Sequence, residues 1–118
     1  MISVGSELTN RVEEADVKKF NRHGLMISTM VKDAGSTPLD LGIVPDDANA
    51  IRKVLREGLK EADIVATIGG CSVGEKDYVW EAVNSLTPSA TICGVKVQPG
   101  RVTSLGVMDG KAIVMLPG

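Results

Sequence analysis

The stretch 69–77, Gly-Gly-Cys-Ser-Val-Gly-Glu-Lys-Asp, holds the residues best suited to chemistry. Its glycines let a backbone come close to an anion. Ser72 adds a hydroxyl donor, and the start of a following helix adds N–H groups with no intrahelical partner. The pattern is not the G-x-G-x-x-G dinucleotide fingerprint, and no Gly-Lys-Ser or Gly-Lys-Thr makes it a phosphate loop of the Walker kind. Two readings stand: a tight strand-to-helix turn, or an anion site. Asp77 falls in the first turn of the next predicted helix. There it either complements the helix dipole or positions a metal or a phosphate-linked group. Glu7, after the first predicted strand, carries the same two readings. Arg101 follows Pro99-Gly100 and is either a phosphate clamp, with its fork of donors, or an ordinary exposed arginine. Lys96 and Gln98 are lesser helpers.

Other reactive side chains offer less. His23 is the single histidine and falls near the start of the first helix, where it reads as a cap or a surface residue. With two separated cysteines it does not make a structural zinc site. Cys71 lies in the glycine segment, where a helix start could lower its pKa, but no histidine has a sequence reason to lie beside it. Cys93 reads as a buried core residue. No Ser-His-Asp order with a nucleophile elbow is present.

These residues need elements to position them. Met1 to Val4 reads as a short buried strand, and 9–17 as a polar loop. A helix follows with Met26, Ile27, Met30, Val31 and Ala34 at helical spacing and Gly35 as its cap. Thr37 to Val44 reads as a strand, and Pro45-Asp46-Asp47 as a turn whose carboxylates cap the next helix. That helix has the clearest stripe: Ile51, Val54, Leu55, Leu59 and Ala62. Gly58 within it costs about 1 kcal/mol of helix propensity against Ala and permits close packing on a sheet. Asp63 to Ile68 is nearly continuous apolar sequence, typical of a strand covered on both faces. A third helix is predicted over 76–86 with Val79, Ala82, Val83 and Leu86 inward, then a strand from Thr91 to Val97. Asp109-Gly110 joins Thr103–Met108 to Lys111–Leu116 as a hairpin.

The order predicts a three-layer α/β/α sandwich with a mostly parallel sheet and an antiparallel edge. Ligands of such sheets bind beyond the carboxyl ends of the strands. Residues 5–7, 69–77, 99–101 and 116–118 are expected to share that rim.

Composition bounds the partners. The chain has 118 residues, 43% hydrophobic and 24% charged, with a formal charge of -2. That is one foldable domain and argues against a broad nucleic-acid face. Aromatics are 3%, namely Phe20, Tyr78 and Trp80, too few for a base-stacking platform. No apolar run nears the ~20 residues a membrane span requires, and no secretory signal is evident. The expectation is a cytoplasmic protein with two free thiols. The first strand has almost no lead-in, and Pro117-Gly118 directly follows a strand. Both suit a domain over 1–118 that is a piece of a longer, multidomain protein.

The sequence resembles the molybdopterin-binding domain of molybdenum cofactor biosynthesis proteins, above all the central domain of the molybdopterin molybdenumtransferases. The resemblance spans the chain. It rests on 3-SVGSEL-8, 34-AGSTPLDLGIVPDD-47, 61-EADIVATIGGCSVGEKDYV-79, 94-GVKVQPGR-101 and 110-GKAIVMLPG-118. The competence-damage branch shares the fold but usually has a different loop after the two glycines. By resemblance, Gly69, Gly70, Ser72, Val73 and Gly74 line a pterin-phosphate site. Asp77 and Glu7 match carboxylates that handle metal or substrate. Pro99, Gly100 and Arg101 match a Pro-Gly-Lys anion stretch, with arginine for lysine. Pro117 and Gly118 begin a Leu-Pro-Gly-Asn-Pro loop. Departures are Asn21-Arg22-His23-Gly24 where the family has an Asp-Ser-Asn-like stretch, and Val102 where it has proline.

The resemblance implies binding of molybdopterin or adenylylated molybdopterin, and insertion of molybdate into it. Mg²⁺ would be held by Asp77, Glu7 and substrate phosphates. It also implies a homo-oligomer. Two alternatives share the fold: a molybdopterin adenylyltransferase-like activity, or a non-catalytic pterin- or nucleotide-binding module. Lacking further domains, the isolated domain is expected to bind weakly or be catalytically silent.

Overall fold

The near-continuous apolar run after Asp63 and the last strand of the chain lie side by side at the centre of a mixed sheet. The computed structural model describes residues 1–71 and 77–118. The assignments made above to Ser72, Val73 and Gly74 fall outside the described residues. In chain order the elements are β1 (Ile2–Val4), β2 (Leu8–Thr9), a 3-10 turn (Val12–Glu14), β3 (Lys19–Phe20), α1 (Arg22–Asp33), β4 (Ile43–Val44) and α2 (Ala48–Glu61). Then come β5 (Ile64–Ile68), α3 (Tyr78–Ser85), β6 (Ala90–Ile92), β7 (Ser104–Met108) and β8 (Lys111–Leu116).

Among the described residues the main sheet has the order β4-β1-β5-β8-β7-β6. The strands β4, β1, β5 and β8 are mutually parallel, β7 is antiparallel to β8, and β6 is antiparallel to β7. Helices α2 and α3 cover one face. There Ile2, Val4, Val65, Ile113 and Met115 from the sheet meet Ile51, Leu55, Val79 and Val83 from the helices, all buried. Burying each such side chain contributes about 1.5–3 kcal/mol, an upper figure because the unfolded chain already buries some. The approach is close. A Cβ on Gly58 of α2 would meet Val65 Cγ2 at 3.3 Å, and one on Gly106 of β7 would meet Val83 Cγ1 of α3 at 3.4 Å. Helix α1 takes the other face, where a Cβ on its buried Gly24 would meet Ser3 Oγ of β1 at 2.9 Å.

Several elements differ from their sequence-based expectation. The inward side of α1 is Gly24, with Ile27 and Val31 half-buried, whereas Met26 is 50% and Met30 58% exposed. The helix rests on β1 through its first turn, so the Met26–Met30 stripe points outward. Ala34 is the C-cap, also exposed. The strand expected from Thr37 shrinks to Ile43–Val44, because the Asp40 carboxylate accepts the Gly42 N–H (2.8 Å) and turns the chain there. The strand expected over 91–97 is Ala90–Ile92. Beyond it Gly94 N–H donates to Ser104 Oγ at 3.0 Å, and Cys93 is exposed, not core. Within 9–17 the loop holds the short turn, and Leu8–Thr9 pairs in parallel with Lys19–Phe20.

The register sorts the sheet's second face. Ile64, Ala66, Ala112, Val114, Leu105, Val107 and Ile92 share it. Only its β1 end is covered by α1. Ile64 is 61% and Ile92 56% exposed.

Candidate functional site

Parallel registry brings three loops together. Ser3 pairs with Ile68 and Ile68 with Leu116, so the segments that follow β1, β5 and β8 leave the sheet at one edge. The turn after β5 is shaped by two glycines. Gly69 has φ +84°, and a Cβ there would lie 2.7 Å from the Val4 carbonyl oxygen. Gly70 has φ +71°, and its Cβ would lie 2.6 Å from Val79 Cγ2 and 2.8 Å from Val4 Cγ1. Any other residue would be strained in dihedral and in space at once. Gly118 sits against this turn, since its Cβ would meet Gly69 Cα at 3.0 Å.

These residues open into a cleft of ≈ 490 Å³. That is within the usual range of about 300–1,000 Å³ for a small-molecule site. Gly69, Gly70, Cys71 and Gly118 line it, and Glu7 and Asp46 contribute carboxylates. Lys19, Asn21, Arg22 and His23 supply the remaining polar lining. Glu7 is exposed, and its carboxylate folds back over Gly5, where a Cβ would meet Oε2 at 2.7 Å. Asp46 Oδ2 accepts the Ser6 N–H at 3.0 Å, and Ser6 Oγ accepts the Asp46 N–H at 3.3 Å. This reciprocal pair latches the loop after β1 to the loop after β4. Asp47 alone caps α2, accepting the Ala50 N–H at 2.7 Å.

Asn21 is the buried polar residue of the cleft. Its Oδ1 accepts the Gly24 N–H (3.1 Å), capping α1. Its Nδ2 donates to Ser3 Oγ (2.8 Å) and Asn10 Oδ1 (3.2 Å). Sequence reasoning missed Asn21, Asp46, Lys19 and Arg22 as site residues. Asn21 carried a signal, an asparagine just ahead of a helix. Asp46 carried a weaker one: two adjacent aspartates where a cap needs one.

Asp77 is the N-cap of α3, and its Oδ1 accepts the Trp80 N–H at 2.8 Å. It does not line the described cleft, whereas Glu7 does. Cys71 is half-buried, and its thiol is pushed up to about 12, first by burial and then by the negative charges of Asp77 and Cys93. The start of α3 does not lower it, because the Asp77 carboxylate caps that helix and puts negative charge beside the thiol. The thiol is therefore protonated near neutral pH and is no nucleophile there.

Arg101 lies elsewhere on the same edge. Ser104 pairs with Met115 and Ile92 with Leu105, so the segment between β6 and β7 also leaves at the carboxyl end of β8. It lies two strands from β5, roughly 10 Å by the usual strand spacing. It forms a neighbouring cavity of ≈ 610 Å³ lined by Cys93, Gly94, Lys96, Gln98 and Arg101 among others. Pro99 and Gly100 belong to this segment, and Thr103 N–H closes it onto Gly100 O at 2.9 Å. Three of the four expected rim segments thus share one cleft, and the fourth borders a second. Pro117 is half-buried beside Gly118. Among the described residues no group of three or more His, Cys, Asp or Glu side chains is arranged to hold a metal ion. No described helix is long and apolar enough to cross a membrane.

The chain is similar to proteins of one pathway. Over 123 residues it is 36% identical to a molybdopterin molybdenumtransferase of Staphylococcus aureus, covering all of this chain and 28% of that protein. Over 127 residues it is 32% identical to a putative molybdopterin biosynthesis protein of Methanocaldococcus jannaschii, covering all of this chain and 32% of that protein. The chain thus spans about a third or less of the length of these curated relatives. In fold it matches the crystal structure of a molybdopterin biosynthesis protein from Pyrococcus horikosii with TM-score 0.85 at 24% identity, covering 99% of this chain and 29% of that one. A family described as a probable molybdopterin binding domain matches residues 1–118. The chain belongs to that molybdopterin-binding domain family and within it is related to the molybdopterin molybdenumtransferases.

Proposed function

We propose that the cleft binds molybdopterin or its adenylylated form, and that the longer protein to which this domain belongs inserts molybdate into it. The glycine turn carries this reading. Gly69 and Gly70 let the turn pack directly on β1 and α3, which sets its backbone at the mouth of the cleft. The family and the names of the relatives supply the ligand class. In the proposed reaction the two dithiolene thiols of the pterin replace one oxo group of molybdate, a substrate; that oxygen leaves as water with the two thiol protons, and water cleaves the phosphoanhydride to release the nucleotide as its monophosphate. The share of this chain is positioning and electrostatics. Covalent catalysis by Cys71 has no support, since its thiol stays protonated.

Residues 69–74 would face the pterin phosphate, with Gly118 closing the floor and Pro117 fixing its approach. Pro99, Gly100 and Arg101 would meet a further anionic part of the ligand, or molybdate, in the adjoining cavity. Mg²⁺ needs few protein carboxylates when phosphates and water complete its shell. Glu7, an exposed carboxylate on the cleft, fits that donor chemistry. Asp77 would orient it from the cap of α3. The half-exposed apolar sheet face around Ile64 and Ile92 gives a second copy a surface to cover, in keeping with a homo-oligomer.

Calorimetry of the 118-residue chain with molybdopterin and with its adenylylated form, each with and without Mg²⁺, tests the reading. Saturable binding of either form is expected, strengthened by Mg²⁺ and weakened by Glu7→Gln in the presence of the metal. No heat with either form would overturn it.

A further inference from the structure

Helix α1 is apolar on two sides. Gly24, Ile27 and Val31 are its buried or half-buried residues, whereas Leu25, Met26 and Met30 stand exposed. Residues 26 and 30 are one turn apart and 25 adjoins them, so the three share one outward stripe. The sheet face beneath α1 is half open. Beyond β1, six apolar residues share it in register: Ile64 and Ala66 of β5, Ala112 and Val114 of β8, Leu105 and Val107 of β7. They are exposed or half-buried, and no charged residue of these three strands stands on that face. From β5 to β6 the uncovered part is three strand spacings, roughly 14 Å, across. That is room for one helix of about 10–12 Å. On the same face α1 rises as a ridge about one helix thick. The ridge keeps a second bare sheet away, so what covers the strip must itself be a helix.

We propose that this face is the interface of a two-fold dimer in which α1 of each copy lies on the uncovered sheet of the other. The inference rests on the homo-oligomer of the preceding section and gives it an interface; it is independent of the ligand. A two-fold axis along the strands, between α1 and the open strip, exchanges the two halves of the face. Both helices then lie side by side in one layer between the two sheets. Each keeps Gly24 toward its own sheet and turns Leu25, Met26 and Met30 toward the other. The 12 residues of α1 make a helix about 18 Å long and about 10 Å across. Two reciprocal contacts, each covering a helix surface and a sheet surface, come to about 700 Å² in projection, and more once side-chain relief is followed. Stable interfaces bury about 1,200–2,000 Å², so this dimer belongs at the weak, concentration-dependent end, and a single such contact would be too small.

The test sets two opposite charges against each other in the 118-residue chain. Met30→Lys puts a cation on the helix stripe, and Val107→Glu puts an anion on the open sheet. Each alone spoils both contacts of its homodimer, and sedimentation equilibrium is expected to show association weakened at least about tenfold. Mixed, the two variants are expected to form a heterodimer, counted by native mass spectrometry, at least about fivefold tighter than either homodimer. One of its contacts is unaltered and the other sets Lys against Glu. Val17→Lys, at an exposed apolar residue ahead of β3, makes the same change of charge as Met30→Lys and should leave the dimer intact. Thermal melting shows whether each variant folds; if Val107→Glu does not, Ile64→Glu takes its place on the same face. A wild-type monomer at every concentration overturns the proposal, and so does a dimer that Val17→Lys weakens equally. A dimer that neither Met30→Lys nor Val107→Glu weakens keeps the homo-oligomer and removes this interface. Two weakened homodimers with no gain on mixing mean that like surfaces meet, and overturn the exchange of helices. None of these outcomes bears on the pterin, which calorimetry with molybdopterin decides.

Discussion

Asn21 does three jobs with one side chain, and Ala at that position would end all of them. It caps α1, holds Ser3 and holds Asn10. Loss of a cap costs about 1 kcal/mol, and stranding the buried Ser3 hydroxyl adds about 1 kcal/mol more. Chemical denaturation of Asn21→Ala should therefore show a loss of roughly 2 kcal/mol. The cysteines make a second test. Cys93 is exposed and Cys71 half-buried with a raised pKa. Thiol labelling near neutral pH should give one fast phase, abolished by Cys93→Ser, and one slow phase. Folded Cys71 holds its proton to about pH 12 against an ordinary value of 9.0. Between those values the folded state binds more protons than the unfolded, so this group's contribution is intact below pH 9 and lost as pH rises toward 12. Cys71→Ser should flatten that alkaline loss. Asp77→Asn separates two roles. A cap alone changes stability by about 1 kcal/mol or less and leaves the proposed metal-supported turnover, assayed in a full-length protein carrying this domain, intact. A positioning carboxylate gives a stable, pterin-binding protein that turns over poorly, which is the outcome expected here.

Among the elements, the turn after β5 is the most exacting. Gly70→Ala forces a Cβ to within 2.6 Å of Val79 Cγ2 at φ +71°. Overpacking of this kind costs about 1–3 kcal/mol, and equilibrium unfolding should register it. Ligand affinity should fall as well, since Val79 lies on the first turn of α3. How far the elements were legible follows from what carries their signal. Helix α2 has a stripe that repeats over about three turns, and β5 is nearly continuous apolar sequence, so both read directly from sequence. The Asp109-Gly110 hairpin read as directly, with both residues at positive φ. Helix α1 misled because its contact is a glycine: Gly24 touches Ser3, and the larger apolar side chains at 26 and 30 lie outward. A hydrophobic stripe cannot announce a helix that docks through a missing Cβ. Strand β4 was overestimated because one side-chain hydrogen bond, Asp40 to Gly42, ends an apolar run. At the cleft, the positions of Glu7 and the two glycines are legible from their place after strands. Lys19 and Asp46 are not, because β3 is brought in by its pairing with β2 and the Asp46 loop by its bond to Ser6, contacts that no local pattern encodes.

At the scale of the whole molecule, the described residues form an asymmetric sandwich with its clefts along one edge of the sheet. Helices α2 and α3 seal one sheet face, α1 seals only part of the other, and the loops at the carboxyl ends of β1, β5 and β8 converge. The apolar strip with Ile64, Ile92 and Val107 is left half open. Such a strip favours self-association, so sedimentation of the 118-residue chain should show a concentration-dependent dimer or larger species that Ile64→Lys weakens. The central claim concerns the other end of the strands: a phosphorylated pterin sits on the glycine turn. Amide NMR during titration with molybdopterin tests it most directly. The account predicts saturable shifts centred on Gly69 and Gly70 and extending to Glu7, with smaller changes in 93–101. A titration that leaves Gly69 and Gly70 unmoved, or that moves only the segment around Arg101, would contradict it.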